Sequence, residues 1–255
     1  MRKYVLDLTV SSVTHVSSKH ILLKLTHQEP LPKMLPGQFV EVKVEGSTST
    51  FLRRPISIHF VDRSKNELWL LVAMVGDGTR QLANLHKGDT LNCLLPLGNG
   101  FTQSREKTLL VGGGVGVAPL LYLGHVLCNR GTDVTFLLGA RSESDLLELD
   151  EFRKYGRVLL TTEDGSLGEQ GFVTNHSIWQ SETFGQISVC GPKPMMVAVA
   201  KAARQHDTPC EVSLENMMAC GLGACLCCVE DTQKGHLCVC KDGPVFNINE
   251  LKWQI

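Results

Sequence analysis

Six cysteines fall between positions 220 and 240, in the text CGLGACLCCVEDTQKGHLCVC. Cys220, Cys225 and Cys228 are spaced C-x4-C-x2-C, the interval at which plant-type loops wrap thiolates around a 2Fe-2S cluster. Gly221 and Gly223 stand between the first two thiols, where a backbone folding around inorganic sulfide needs positive φ and inward N–H groups. Cys227, Cys238 and Cys240 all compete for the fourth place. Cys240 is chosen because it opens CKDGPVF, a turn able to bring a distant thiol back. Structural zinc would use four thiolates too, but its knuckles usually pair as C-x2-C at both ends, and here the first interval is four. A disulfide framework fits less well still, since Cys93, Cys128, Cys190 and Cys210 are scattered.

A cluster of this size carries single electrons, so the rest of the chain should hold their source. Leu52-Arg53-Arg54-Pro55-Ile56-Ser57 puts a fixed cation, a rigid proline and a hydroxyl in a row. Arg54 could pair with a phosphate while Ser57 faces the polar edge of an aromatic ring; the plainer alternative makes both arginines solvated strand residues. Gly76-Asp77-Gly78-Thr79 reads as a turn into a helix, with N–H groups free for a pyrophosphate or with Thr79 as a simple N-cap.

A second glycine turn, Gly112-Gly113-Gly114-Val115-Gly116-Val117-Ala118-Pro119, follows the apolar run KTLLV. It lacks the last glycine of GxGxxG, but a strand, bare backbone and a proline near N1 of a helix place N–H groups where a diphosphate could lie. Cys190-Gly191-Pro192 follows another strand at the same kind of edge, with Cys190 open to a core role or to a nicotinamide. Thr161-Thr162-Glu163-Asp164 brings two carboxylates to that edge and favours NAD(H) over NADP(H), although Arg141 argues the other way.

These groups need elements to hold them. From Tyr4 to Gly100 short β-type runs such as ILLKL, QFVEVKV, ISIHFV and ELWLLVAMV alternate with turn signals, which predicts a small antiparallel barrel with one short helix over 79–85. After Phe101 strands and helices alternate, which predicts a parallel sheet with helices over 119–129, 143–155 and 193–206, the last with Met195, Val199 and Ala202 on one face. The expected fold is therefore α/β and β: a barrel over 1–100, a parallel-sheet nucleotide domain over 101–210 and a small cluster domain over 211–255. Leu109 to Cys128 carries no formal charge, yet its glycines and Pro119 make it a strand, a turn and a helix rather than a membrane span. A net charge of −1 offers no basic field for nucleic acid or anionic lipid. Asp7 interrupts the N-terminus before a signal-peptide core, so the expectation is a cytoplasmic protein.

Taken in order, LRRPIS, GDGT, GGGVGVAP, TTEDGS, CGPKPM, MMACGLGACLCCVE and CKDGPVF resemble the ferredoxin-NADP reductase superfamily across essentially the whole chain. Within it the sequence is similar to the electron-transfer subunits of class 1B dihydroorotate dehydrogenase. The resemblance implies FAD held by Arg54, Pro55, Ile56 and Ser57, by a strand at Leu71, Val72 and Ala73, and by Gly78 and Thr79. It implies NAD at Gly112, Gly113, Gly114, Gly116, Cys190, Gly191 and Pro192, and a 2Fe-2S cluster on Cys220, Cys225, Cys228 and Cys240. The implied partner is an FMN-containing dihydroorotate dehydrogenase catalytic subunit in a heterotetramer of two of each, serving pyrimidine biosynthesis. Related subunits of NADH-dependent ferredoxin:NADP oxidoreductase, sulfide dehydrogenase and hydrogenase share this plan, and a non-enzymatic zinc adaptor is the alternative of another class.

Overall fold

Leu6, Leu8 and Val10 alternate with Val5, Asp7 and Thr9, and a period of two is what a strand with one buried face requires. In the computed structural model, which describes residues 2–47 and 49–253, that strand is β1 (Tyr4–Ser17). It is joined by β2 (His20–Thr26), β3 (Phe39–Val42), β4 (Arg54–Ser57), β5 (Phe60–Asp62), β6 (Glu67–Ala73) and, after helix α1 (Asp77–Leu82), β7 (Thr90–Leu97). They form one antiparallel sheet in the order β4-β3-β7-β1-β2-β6-β5. Only Ile58 and His59 separate the two edge strands β4 and β5, a span of about 10 Å. The sheet therefore curls until its edges approach, which is the expected barrel. Leu8, Val10, Ile21, Leu23, Leu25, Val40, Val42, Leu68 and Leu70 are fully buried along its strands.

The two neighbouring arginines have separate roles. Arg53 donates from Nη1 to the carbonyl oxygens of Glu41 and Asn92, each at 3.1 Å, and from Nη2 to the Asn92 side chain. It ties the edge strand to β3 and β7. Arg54 is left for the cavity described below.

Strands β8 (Thr108–Gly113), β9 (Val134–Ala140), β10 (Arg157–Thr162), β11 (Glu169–Gln170), β12 (Gln186–Cys190) and β13 (Cys210–Ser213) pair in parallel, and their order is β11-β10-β9-β8-β12-β13. The helices between them are α2 (Ala118–Cys128), α3 (Leu149–Arg153), α4 (Ile178–Ser181) and α5 (Lys193–Gln205). Later come β14 (Val229–Thr232) and β15 (Gly235–Cys238), which form a two-stranded sheet, then α6 (Val239–Asp242) and β16 (Val245–Asn247), which pairs antiparallel with β13. The uncharged run from 109 to 128 is a strand, a 3-10 turn and a helix. Among the described residues no helix is long and apolar enough to cross a membrane.

One helix expectation is corrected. The stretch 143–155 is a 3-10 turn at Glu143–Asp145 and a separate α3, because Leu146 is extended and Glu148 takes φ 50°. Acidic and leucine-rich composition favoured a helix, but the intervening backbone conformation does not propagate one. In α5 the buried residues are Met196, Val199, Ala200 and Ala203, so of the expected face Val199 is buried.

The chain divides into two compact units. One holds the residues up to Gly100 together with Glu215–Glu230 and His236–Pro244, and the other holds Phe101–Leu214, Asp231–Gly235 and the residues from Val245 onward. Within the second, Glu182 accepts from Lys107 Nζ at 2.6 Å and from Arg157 Nη1 and Nη2 at 2.8 and 2.9 Å. The Arg157 bonds, then Lys107, hold its carboxyl down at about 2. A depressed folded-state pKa means that the stabilisation is complete above the unfolded value of 4.5 and is lost as pH falls through about 2. Urea denaturation should show Glu182→Gln less stable than wild type at pH 6, with the gap narrowing by pH 3 and closing near pH 2.

Candidate functional site

In the first unit a cavity of about 230 Å³ opens beside the edge strand, lined by Ser49, Thr50, Arg54, Val75 and Gly76–Thr79. The turn that forms its floor is closed by Thr79, whose hydroxyl donates to the Gly76 carbonyl and accepts from the Gly76 N–H, each at 3.1 Å. Gly76 is the N-cap and Thr79 lies one turn inside, so Thr79 is not the N-cap. A Cβ at position 78 would lie 2.9 Å from Arg54 Nε. Bare backbone is thus what lets the guanidinium cross the turn. Pro55, Ile56 and Ser57 continue β4 half-buried, with Ser57 opposite Phe39. Leu71 and Val72 are buried in β6, while Ala73 is half-buried where that strand leads toward the turn.

The second unit brings its two glycine turns together. Strand β8 pairs with β9 on one side and with β12 on the other, so the connections leave it in opposite directions, and such a switch point is where open parallel sheets bind ligands. Gly112 lies opposite Cys190 in the ladder. A Cβ on Gly116 would be 2.5 Å from Gly191 Cα and 2.6 Å from the Cys190 carbonyl oxygen, and one on Gly113 would be 2.5 Å from Met195 Sδ. Gly114 takes φ 55° with nothing within 4 Å of its Cβ position. Pro192 is the N-cap of α5. Cys190 is fully buried in β12. Where β10 ends, Asp164 accepts from the Ser166 N–H at 3.0 Å and hydroxyl at 2.6 Å, which lowers its pKa. Its own N–H donates to the Arg141 carbonyl at 3.2 Å, so the exposed Arg141, Glu163 and Asp164 share one edge.

The cysteine loop belongs to the first unit. Gly221, Gly223 and Leu226 have φ of 64°, 80° and 59°. These conformations turn N–H groups inward: Leu222 N–H donates to Cys220 Sγ at 3.3 Å and Gly223 N–H donates to Cys240 Sγ at 3.1 Å. The Leu222 contact leads the causes that bring the Cys220 thiol down to about 6. Burial pushes Cys240 up to about 12, and its own N–H donates to Cys228 Sγ at 3.4 Å. Cys238 is buried, with its thiol 3.9 Å from the Gly223 carbonyl, and Cys225 and Cys227 are exposed. CKDGP is seated by Asn99, whose N–H donates to Gly243 O at 2.6 Å and whose side chain donates to Asp242 O at 2.9 Å.

One buried ionisable group escaped notice in the sequence. Glu41 in β3 is fully buried and neither carboxyl oxygen has a hydrogen-bond partner among the described residues. Burial raises its pKa to about 7 against the pull of Arg53. The available signal was a lone acid inside the apolar run FVEV.

Residues 215–252 match the iron-sulfur cluster binding domain of dihydroorotate dehydrogenase B, and residues 110–201 match the oxidoreductase NAD-binding domain. The dihydroorotate dehydrogenase B (NAD(+)) electron transfer subunit of Shouchella clausii is 39% identical over 98% of this chain and 99% of its own, and that of Listeria monocytogenes is 42% identical over 96% and 98%. The chain belongs to this electron transfer subunit family. Among solved structures, one from the NADH-dependent reduced ferredoxin-NADP oxidoreductase is 28% identical with a TM-score of 0.87, covering 96% of this chain and 90% of that one. The Amycolatopsis cytochrome P450 reductase GcoB is 25% identical with a TM-score of 0.68, covering 80% and 66%. As in the matched domain, the thiol loop of this chain fits an iron-sulfur cluster. Inward N–H groups are what a sulfur-rich anion requires, and those of Leu222 and Gly223 point at sulfurs.

Proposed function

We propose that the chain passes electrons between NAD(H) and an FMN-containing catalytic subunit that oxidises dihydroorotate to orotate, by way of FAD and a 2Fe-2S cluster. The observation that carries this reading is the pair of N–H groups from Leu222 and Gly223 aimed at the Cys220 and Cys240 sulfurs. When bound, the three groups supply hydride exchange, conversion of two electrons into single ones, and one-electron transfer. The protein's own contribution is binding and orientation. Arg54 neutralises a diphosphate, Ser57 presents its hydroxyl to the flavin edge, and Pro55, Ile56, Gly78 and Thr79 shape the remaining wall with Leu71, Val72 and Ala73. The bare turns Gly112–Gly116 and Cys190–Pro192 admit the dinucleotide backbone, and Cys220, Cys225, Cys228 and Cys240 supply the thiolates. No general acid or base is required. The functional divisions are 1–100 for FAD, 101–210 for NAD and 211–255 for the cluster, in a cytoplasmic heterotetramer of two subunits of each kind. Among the described residues no disulfide joins the cysteines, which suits a reducing compartment.

The test is an EPR spectrum of anaerobically purified protein with its flavin quantified, before and after NADH. A reduced 2Fe-2S signal in FAD-bearing protein is expected, with NADH preferred over NADPH in kcat/KM because Glu163 and Asp164 repel a 2'-phosphate. Zinc without labile sulfide or flavin would overturn the reading in favour of an adaptor, and a clear NADPH preference would overturn the nucleotide assignment. A second reading, as a subunit of an NADH-dependent ferredoxin-NADP oxidoreductase, is supported by the 0.87 TM-score. Turnover that follows dihydroorotate rather than ferredoxin separates the two.

A further inference from the structure

Strand β3 lies between β4 and β7, and Glu41 pairs with Pro55 on one and Leu94 on the other. Its neighbours Val40 and Val42 are fully buried apolar residues, and Glu41 is buried to the same degree. A carboxyl in such a place is unfavourable unless something uses it, since both oxygens have lost water and found no donor among the described residues. What lies against it is the start of the cysteine loop. A Cβ on Gly221 would be 2.8 Å from Glu41 Cγ and 3.2 Å from Oε1, with Leu97 Cδ1 at 3.0 Å. The backbone immediately after Cys220 therefore rests on the carboxyl, and Gly221 is bare because the two must approach this closely. Arg53 stands behind, donating at 3.1 Å to Glu41's own carbonyl, so a cation supports a charge on this strand.

Building on the cluster reading above, we propose that Glu41 sets the reduction potential of the cluster, its carboxylate holding that potential low. A negative charge excluded from water is poorly screened, and one beside a thiolate loop disfavours the arrival of another electron. The benefit for the pathway is direct. Electrons bound for NAD+ must leave the cluster readily, and a cluster that is too easily reduced would retain them.

The experiment is a redox titration of the cofactor-loaded chain at about pH 9, above the value to which burial raises the Glu41 carboxyl, followed by the EPR signal of the reduced cluster, in wild type, Glu41→Gln and Glu41→Asp. The expected result is a shift of the E41Q equilibrium toward the reduced cluster by at least tenfold at a given applied potential, which is about 59 mV upward for one electron. Iron and sulfide content should be unchanged, and E41D, which keeps the charge, should titrate near wild type. An unchanged or lowered midpoint in iron-replete E41Q overturns the proposal. Should E41Q fail to load iron, Glu41→Met removes the same charge with a similar length. If neither neutral variant loads while E41D does, Glu41 is a structural residue and the proposal falls. Wild-type protein without iron and sulfide would mark a failure of the cluster reading instead, and would remove this inference with it.

Discussion

Replacing Cys220 with alanine abolishes transfer to the partner while sparing oxidation of NADH by a dye that takes electrons from flavin. Cys220 is the thiol at which the loop's N–H groups converge, and its pKa of about 6 makes it a thiolate at neutral pH, the form that binds iron. Changing groups that merely support metal ligands typically costs about 10- to 100-fold. Loss of a ligand should exceed this, so cluster-dependent turnover is expected to fall by more than about a hundredfold, with iron and sulfide lost together. Dye-linked NADH oxidation should stay close to wild type. The same assay separates the six cysteines. Ala at 225, 228 or 240 should behave like Ala at 220, whereas Cys227→Ala and Cys238→Ala should keep iron, sulfide and turnover. Retained iron in Cys240→Ala, with loss in Cys238→Ala, would move the fourth ligand to Cys238.

Gly116→Val should raise the KM for NADH by at least about tenfold, since displacing a bound reactant's support by about an ångström can cost a hundredfold. The cause is steric and local. Even the first carbon of the side chain would meet Gly191 Cα at 2.5 Å and Cys190 O at 2.6 Å, and both are backbone, which cannot rotate aside. The two turns must separate, and with them the ends of β8 and β12 that form the switch point. FAD content and the EPR signal after dithionite should be unaffected, because those sites use residues of the other unit. Gly131→Asn is the matching control: Gly131 has φ 78° and nothing within 4 Å of its Cβ position, and asparagine tolerates that backbone, so KM should not move. An unaltered KM in Gly116→Val would argue against dinucleotide binding at this turn.

Spacing and alternation made much of this legible. Period-two runs mark the barrel strands, and KTLLV with its glycines marks β8 and the turn after it. C-x4-C-x2-C marks a loop too tight for anything but thiolate chemistry. These signals are local, and local sterics act within a few residues. Reading failed where the decision was not local. The 143–155 stretch has the composition of a helix, yet it is broken at Leu146 and Glu148. In α5 packing, rather than the residue list, selects which residues beside Val199 are buried.

The sequence by itself therefore determined the kinds of element, their order and the chemistry of their side chains, since propensity, turn residues and ligand type belong to neighbouring positions. Tertiary structure alone decided which of two adjacent arginines anchors a strand and which lines a cavity. It also decided that Gly116 meets Gly191 and that a glutamate in β3 lies under a cysteine loop from the far end of the chain. Those contacts are set by sheet order and close packing, which no run of neighbouring residues encodes.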